Sequence, residues 1–324
     1  MSKNKPPFFF SATQSVDNRL GDIFNFTWAS YAGLRELWWQ IRGFHAEHPE
    51  LKPKSIEEKF VRRIPPPGGV DVKRMFLDRS WEQHEQEFCK QIIFEVCTLF
   101  EGWAERICED VFTSSASAGN AKSLQFPTST KNGQVLGVQK VVDHANTGRS
   151  NLMYNEFFPS ISSSNLNSWS DLDDNLRAYR YFKECRNAMI HSGGEVSQKI
   201  IDARSELELA QASGVASFSG GFLITPQNVG EPINLEIRDV ILFSTVVRRT
   251  IFTLDAALSV SNACELLLEE KLRDLIATAS KWQQLPTEPS KLEQRCHRML
   301  SACNVPEPVD IKNVMSWMRS KALI

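Results

Sequence analysis

Apolar side chains at three- and four-residue steps, sustained over three long stretches, constrain this chain more than any other feature. From Asp78 or Ser80 to about Phe112, Trp81, Phe88, Ile92, Val96, Leu99, Trp103, Ile107 and Val111 trace the buried stripe of one helix. Over residues 16–46, Leu20, Phe24, Trp28, Tyr31, Leu34, Trp38, Ile41 and Phe44 repeat the pattern. Their heavy aromatic content calls for packing against something large. A third stripe runs from about Ser170 to Ser192 through Leu172, Leu176, Tyr179, Phe182, Met189 and Ile190. Ser168 or Ser170 is its expected cap, and Gly193-Gly194 its stop. Stripes this long are hidden most simply by one another, so the expected class is mainly α.

The segments between them divide the chain. Residues 47–77 break the periodicity, and PPPGG (65–69) is a clear connector. Before it, SIEEKFVRRI predicts a short helix with Ser55 as cap and Glu58 completing a capping box. TSSASAGNAKS, after the Phe112 region, reads as a loop, and residues 131–166 as irregular with a short helix around 135–145. VSQKIIDARSELELAQ predicts a further helix. FSGGFLITP and EPINLEIRD alternate around a Gly/Asn turn, which suggests a small β-hairpin. Helices are expected again over 238–258 and 262–279, with two shorter ones after Pro286 and Pro308. Three regions follow: an N-terminal helical region with its connector (1–77), a central helical domain (78–260) and a C-terminal helical tail (261–324).

Charge narrows the function. Lys plus Arg total 37 against 39 Asp plus Glu, a net charge of −2, which excludes a histone-like protein that coats nucleic acid with its whole surface. A local basic pocket for one phosphate remains allowed. The sequence has no apolar run of membrane-spanning length, and its start lacks a signal-peptide core. Seven scattered cysteines, an odd number without a CxxC, predict a reduced, cytoplasmic protein with Cys89, Cys97 and Cys108 as small core residues. Walker-type, GxGxxG, GxSxG and HExxH signatures are absent. Cys296, His297 and Cys303, and separately His45 and His48, read as packing and helix-end residues rather than metal ligands. Neither metal nor cofactor is expected.

One constellation stands out: Arg186-Asn187-Ala188-Met189-Ile190-His191, then Ser192-Gly193-Gly194. On a helix Asn187 and His191 share a face, while Arg186 lies about 140° away from His191 with a side chain long enough to reach the same pocket. A permanently charged fork beside an imidazole that titrates near neutrality is a workable ribonuclease kit. The imidazole moves the 2′-hydroxyl proton, and the guanidinium steadies the phosphorane charge. Spacing alone is weak evidence. With 20 arginines and 6 histidines about one Arg-x(4–6)-His match arises by chance, and the chain has three: Arg42 to His48, Arg79 to His84, and Arg186 to His191. Only the third has an amide following the arginine.

In this context RNAMIHSGG, ending an amphipathic helix, resembles the Arg-x(4–6)-His motif of the HEPN superfamily, where a polar residue, commonly Asn, follows the arginine. The upstream segment LFEGWAERICEDV is similar to the first core helix of several HEPN families. The resemblance covers roughly residues 78–260 and implies a HEPN-like antiparallel bundle with extra N- and C-terminal helices. It also implies a metal-independent endoribonuclease that leaves 2′,3′-cyclic phosphate and 5′-hydroxyl ends. Carried over by position, Arg186 would bind phosphate, His191 would transfer protons, Asn187 would position substrate or imidazole, and Glu101 would support them. Such domains usually form homodimers with a composite site. Many act on RNA in toxin–antitoxin or anti-phage systems, with an antitoxin or defence partner protein. The alternative is a non-catalytic HEPN-like dimerisation or binding module, in which Arg186 pairs with an acid such as Glu184 or Glu195. The basic pairs Arg62-Arg63 and Arg248-Arg249 read mainly as solvated or salt-bridged faces. Tyr181 could stack a base if it borders the cleft, and Tyr179 reads as core.

Overall fold

In the computed structural model, which describes residues 8–61, 70–278 and 280–324, the expected stripes fold as helices. Helix α1 (Ser11–Glu47) begins several residues before the sequence pattern suggests. The cause is a buried carboxylate. Asp255 accepts the backbone N–H groups of Phe9 (2.7 Å) and Phe10 (3.1 Å) and the Thr13 hydroxyl (2.6 Å), so the chain is fixed before its first turn. Helix α2 (Pro53–Phe60) starts on Pro53, not at a Ser55 cap, because proline needs no N–H partner in a first turn. Helix α3 (Trp81–Val111) has a full capping box, with Ser80 Oγ accepting from Gln83 N and Gln83 Oε1 from Ser80 N.

The segment expected as a loop is helix α4 (Ser114–Ser123). Its Ser117 and Ser123 hydroxyls turn back onto the helix's own carbonyls, and Asn120 and Ala121 are buried. Packing against α3 overrides a composition that favours turns. Next come strands β1 (Ser129–Lys131) and β2 (Gln134–Leu136), antiparallel with Ser129 opposite Leu136. Asn132 and Gly133 make the two-residue turn at φ 51° and 75°, an Asn-Gly signal passed over in the sequence. Helix α5 (Val138–Thr147) and the short α6 (Phe158–Ser162) complete this part. Helix α7 (Leu172–His191) follows a 3-10 turn, with Asp171 rather than Ser168 or Ser170 at its N-cap position. Then come α8 (Gln198–Ala212), α9 (Ile237–Leu258), α10 (Asn262–Thr278), the single-turn α11 (Ser280–Gln283), α12 (Pro289–Ala302) and α13 (Ile311–Ser320).

The β-hairpin expected after α8 does not form, because its hydrogen bonds go elsewhere. Gln211 takes both backbone groups of Phe222, and Gln227 takes both of Asn234. Residues 230–233 pair with the turn after α7, through Gly230 N to Val196 O (2.9 Å), Val196 N to Glu231 O (2.8 Å) and Ile233 N to Gly194 O (2.8 Å). Pro226 and Pro232 have no N–H to give a ladder.

The fold is mainly helical, and its main core centres on α3. Ile92, Ile93, Val96, Cys97, Phe100, Ala104, Ile107 and Cys108 are fully buried where α3 packs against α1, α7 and α9. Cys89 is likewise fully buried. A second, smaller core joins the end of α1 (Trp38, Ile41) to Ile56, Val61, Val72 and Phe76.

Two predictions follow from this packing. Gly137 sits at φ +75°, where a Cβ would come within 2.1 Å of the Pro127 carbonyl oxygen, so Gly137→Ala should cost more than about 1 kcal/mol in urea unfolding. Burial pushes Asp255 up to about 6, against about 3.9 in an unfolded chain. Between those values the folded state holds the extra proton. Its contribution is therefore complete below about pH 4 and is lost as pH rises to about 6. Asp255→Asn should remove that part of the pH slope. It should also cost about 1–3 kcal/mol, because an amide cannot accept all three donors.

Candidate functional site

Tyr179, Lys183 and Arg186 stand at steps of four and three on α7, so they share one face, and that face meets Glu101 of α3. Glu101 Oε1 accepts from Lys183 Nζ at 2.7 Å and from the Tyr179 hydroxyl at 3.4 Å, while Oε2 lies 3.4 Å from an Arg186 Nη. The three charged side chains are only 16–23% exposed, so their interaction is screened less than a surface pair. Two cations face one carboxylate here, leaving one positive charge without a neutralising partner. Lys183 also donates to Gln125, and the neighbouring Arg180 pairs with Glu184 and covers the Phe126 ring at 4.4 Å. Glu184 is therefore spent on Arg180, and the acid beside Arg186 is Glu101.

Arg186 donates sideways to Asn187 Oδ1 at 3.1 Å, which ties the first two motif residues together. His191 is the last residue of α7, exposed, and without a hydrogen-bond or ion-pair partner among the described residues. The chain leaves it by a tight return. Ser192 N and Gly194 N both donate to the Ala188 carbonyl, at 2.8 and 3.1 Å, and Gly193 and Gly194 take φ 68° and 81°. This left-handed pair suits glycine, and it anchors the helix end to residues 231–233. The structure thus joins Arg186, Asn187 and Glu101, and leaves His191 free on the adjoining helix end. Lys183 was not singled out in the sequence; its spacing to Arg186 was the available signal.

Burial holds the groups behind the cluster neutral. It drives the Tyr179 phenol far above its usual range, with Glu101 adding to the effect. It pushes the Cys97 thiol up to about 12, where Glu101 raises it further and Arg186 opposes. Neither group can act as an anion or nucleophile near neutral pH. The other two Arg-to-His spacings are spent structurally. His84 is buried with Nε2 at 2.7 Å from the Met75 carbonyl, and Arg42 lies over the Trp38 ring at 4.4 Å while donating to Leu77 O.

The remaining candidates are accounted for in the same way. Tyr181 is buried, so it offers no face for a base, and Tyr179 lies in the core. Arg248 pairs with Asp17 at 2.5 Å, and Arg62-Arg63 lie outside the described residues. Cys296 is buried, Cys303 donates to the Lys271 carbonyl at 3.4 Å, and His297 and His48 approach Glu307 and Glu50 at 3.6 and 3.7 Å. Among the described residues, no group of three or more His, Cys, Asp or Glu side chains is arranged to hold a metal ion. All seven cysteines are free thiols, and no described helix is long and apolar enough to cross a membrane. No family model matches the chain, and neither a curated protein nor a solved structure matches it.

Removing the shared carboxylate should expose its structural weight. Glu101→Ala leaves Lys183 and Arg186 facing each other and should cost about 1–3 kcal/mol in urea unfolding. Adding Lys183→Met should recover part of that loss. Strict additivity in the double-mutant cycle would mean that the three groups do not interact.

Proposed function

We propose that this chain is a metal-independent endoribonuclease of the HEPN type, built on a HEPN-like antiparallel bundle and acting in the cytoplasm as a homodimer with a composite site. In this reading it serves toxin–antitoxin or anti-phage defence and answers to an antitoxin or defence partner protein. The observation that carries the reading is the pairing of a positioned arginine with an unengaged imidazole on one helix end. Arg186 is held by Glu101 and Asn187, and His191 stands exposed five residues later.

The chemistry then runs as an internal transfer. His191 takes the 2′-hydroxyl proton, and the 2′-oxygen lone pair attacks the adjacent phosphorus. As the bond from phosphorus to the 5′-oxygen breaks, solvent water protonates that oxygen to give the 5′-hydroxyl and a 2′,3′-cyclic phosphate, and His191 returns its proton to solvent. The positive charge left over at Lys183 and Arg186 stabilises the phosphorane, and Arg186 supplies the planar fork. Asn187 fixes the guanidinium by its hydrogen bond. One subunit offers no contact between His191 and Arg186, so the facing copy supplies the second half of the site. That same lack of contact, with Arg186 already ion-paired, favours a second reading as a non-catalytic binding module.

The test is cleavage of total cellular RNA in EDTA by wild type, Arg186→Ala and His191→Ala, with the new ends mapped chemically. Wild type should leave cyclic phosphates, and each variant should lose about 10²–10⁴-fold in rate. His191→Ala should hold its unfolding free energy within about 0.5 kcal/mol, since the side chain is exposed and unpartnered. Equal cleavage by His191→Ala and wild type would reject the assignment, and RNA left intact by the wild type would favour the binding module.

A further inference from the structure

A cavity of about 340 Å³ lies between the first turn of α1 and helices α10 and α12, walled by Ser11, Asp274, Leu275, Thr278, Ala302 and Asn304. Lys271 of α10 is part of its wall. The lysine amine sits 4.8 Å from the centre of the Phe9 ring. Its hydrogen bond is a long one, 3.4 Å to the Phe9 carbonyl, and no carboxylate of the described residues forms an ion pair with it. An amine held this way, beside an aromatic ring and a solvent-sized space, is poorly hydrated and open to an incoming electrophile.

We propose that Lys271 is a reactive-amine site that takes a small aldehyde as a Schiff base within this cavity.

Two observations support it. Burial draws the Lys271 ammonium below its usual range, while the carboxylates of Asp255 on α9 and Asp110 on α3 act in the opposite direction. Its neighbour Cys303 is pushed up to about 11 by burial, so the thiol stays protonated and does not compete as a nucleophile. Ser11 opens α1 on the cavity wall, but Asp255 already faces that helix start and Asp274 lies on the same wall, so the space does not select for an anion. The volume suits a compact ligand of this kind.

The reaction balances without an outside oxidant. The neutral amine adds its lone pair to the carbonyl carbon, and the C=O π pair moves to oxygen, which is protonated to give a carbinolamine. Nitrogen then loses its remaining proton as the hydroxyl leaves with another, so that one water departs and the C=N bond forms. Solvent water supplies and takes up the protons in both steps.

The test treats the full chain with pyridoxal 5′-phosphate near neutral pH, traps imines with borohydride, and maps the labelled lysines by mass spectrometry. A lowered amine pKa raises the neutral fraction near pH 7, so Lys271 should label ahead of the exposed lysines. Lys271→Arg should lose that label. Ala302→Phe keeps the amine and fills the cavity from an exposed rim position, so with an unchanged thermal melt it should lose the label too. Pyridoxal, without the phosphate, should label Lys271 as well. The proposal is overturned if the label falls evenly on surface lysines with Lys271 unmodified, or if a folded Ala302→Phe labels as fast as wild type.

Discussion

The burial of α3 is the constraint from which the rest of the arrangement follows. A helix of 31 residues whose buried face holds phenylalanine, tryptophan, isoleucine and three cysteines cannot be covered by one neighbour. It needs α1, α7 and α9 on its flanks, and each of these is itself long and amphipathic. Burying one such side chain is worth about 1.5–3 kcal/mol. The register of α3 against α7 is therefore set by many apolar contacts, and the polar residues between them have little freedom to choose their partners.

Glu101 is the clearest product of that register. It occupies one turn of α3 that meets Tyr179, Lys183 and Arg186, and it satisfies donors from all three. A single carboxylate against two cations is neither a neutral pair nor an exposed basic patch. It fixes the side chains while retaining attraction for an anion, which is how an acidic protein of net charge −2 can still present a local positive site. The helix end beside it is shaped by different forces: a glycine pair, two amides on one carbonyl, and a short bridge to residues 231–233.

Much of this was legible in the sequence wherever periodicity was long. The stripes on α1, α3, α7, α9 and α10 announce themselves because an apolar residue every three or four positions has few other uses. The short helices α2, α5, α12 and α13 were legible too, but α4 and the β1–β2 hairpin were not. In α4 the serines and alanines look like a loop until the face of α3 is there to receive Asn120 and Ala121. The 217–236 segment alternates like a hairpin, but glutamine side chains and the α7 turn take its backbone groups. At the candidate site, Arg186, Asn187 and His191 were visible from spacing and neighbours. Lys183 was not, because its role depends on Glu101 arriving from a helix some 80 residues earlier in the chain.

The Asp255 anchor reaches further than the N-terminal turn it holds. Thr13, bound to that carboxylate, accepts the Trp103 indole N–H at 2.9 Å, and Trp103 stacks on Phe100 with ring centres 5.9 Å apart. Phe100 meets the Tyr179 ring edge-on at 4.6 Å, and Tyr179 donates to the Glu101 carboxylate that holds Arg186. Residues 8–13 are thus the outer leaf of the wall behind the arginine. A protease that trimmed them would unroof Trp103 as well, so a red shift in tryptophan emission would register their loss without any substrate present.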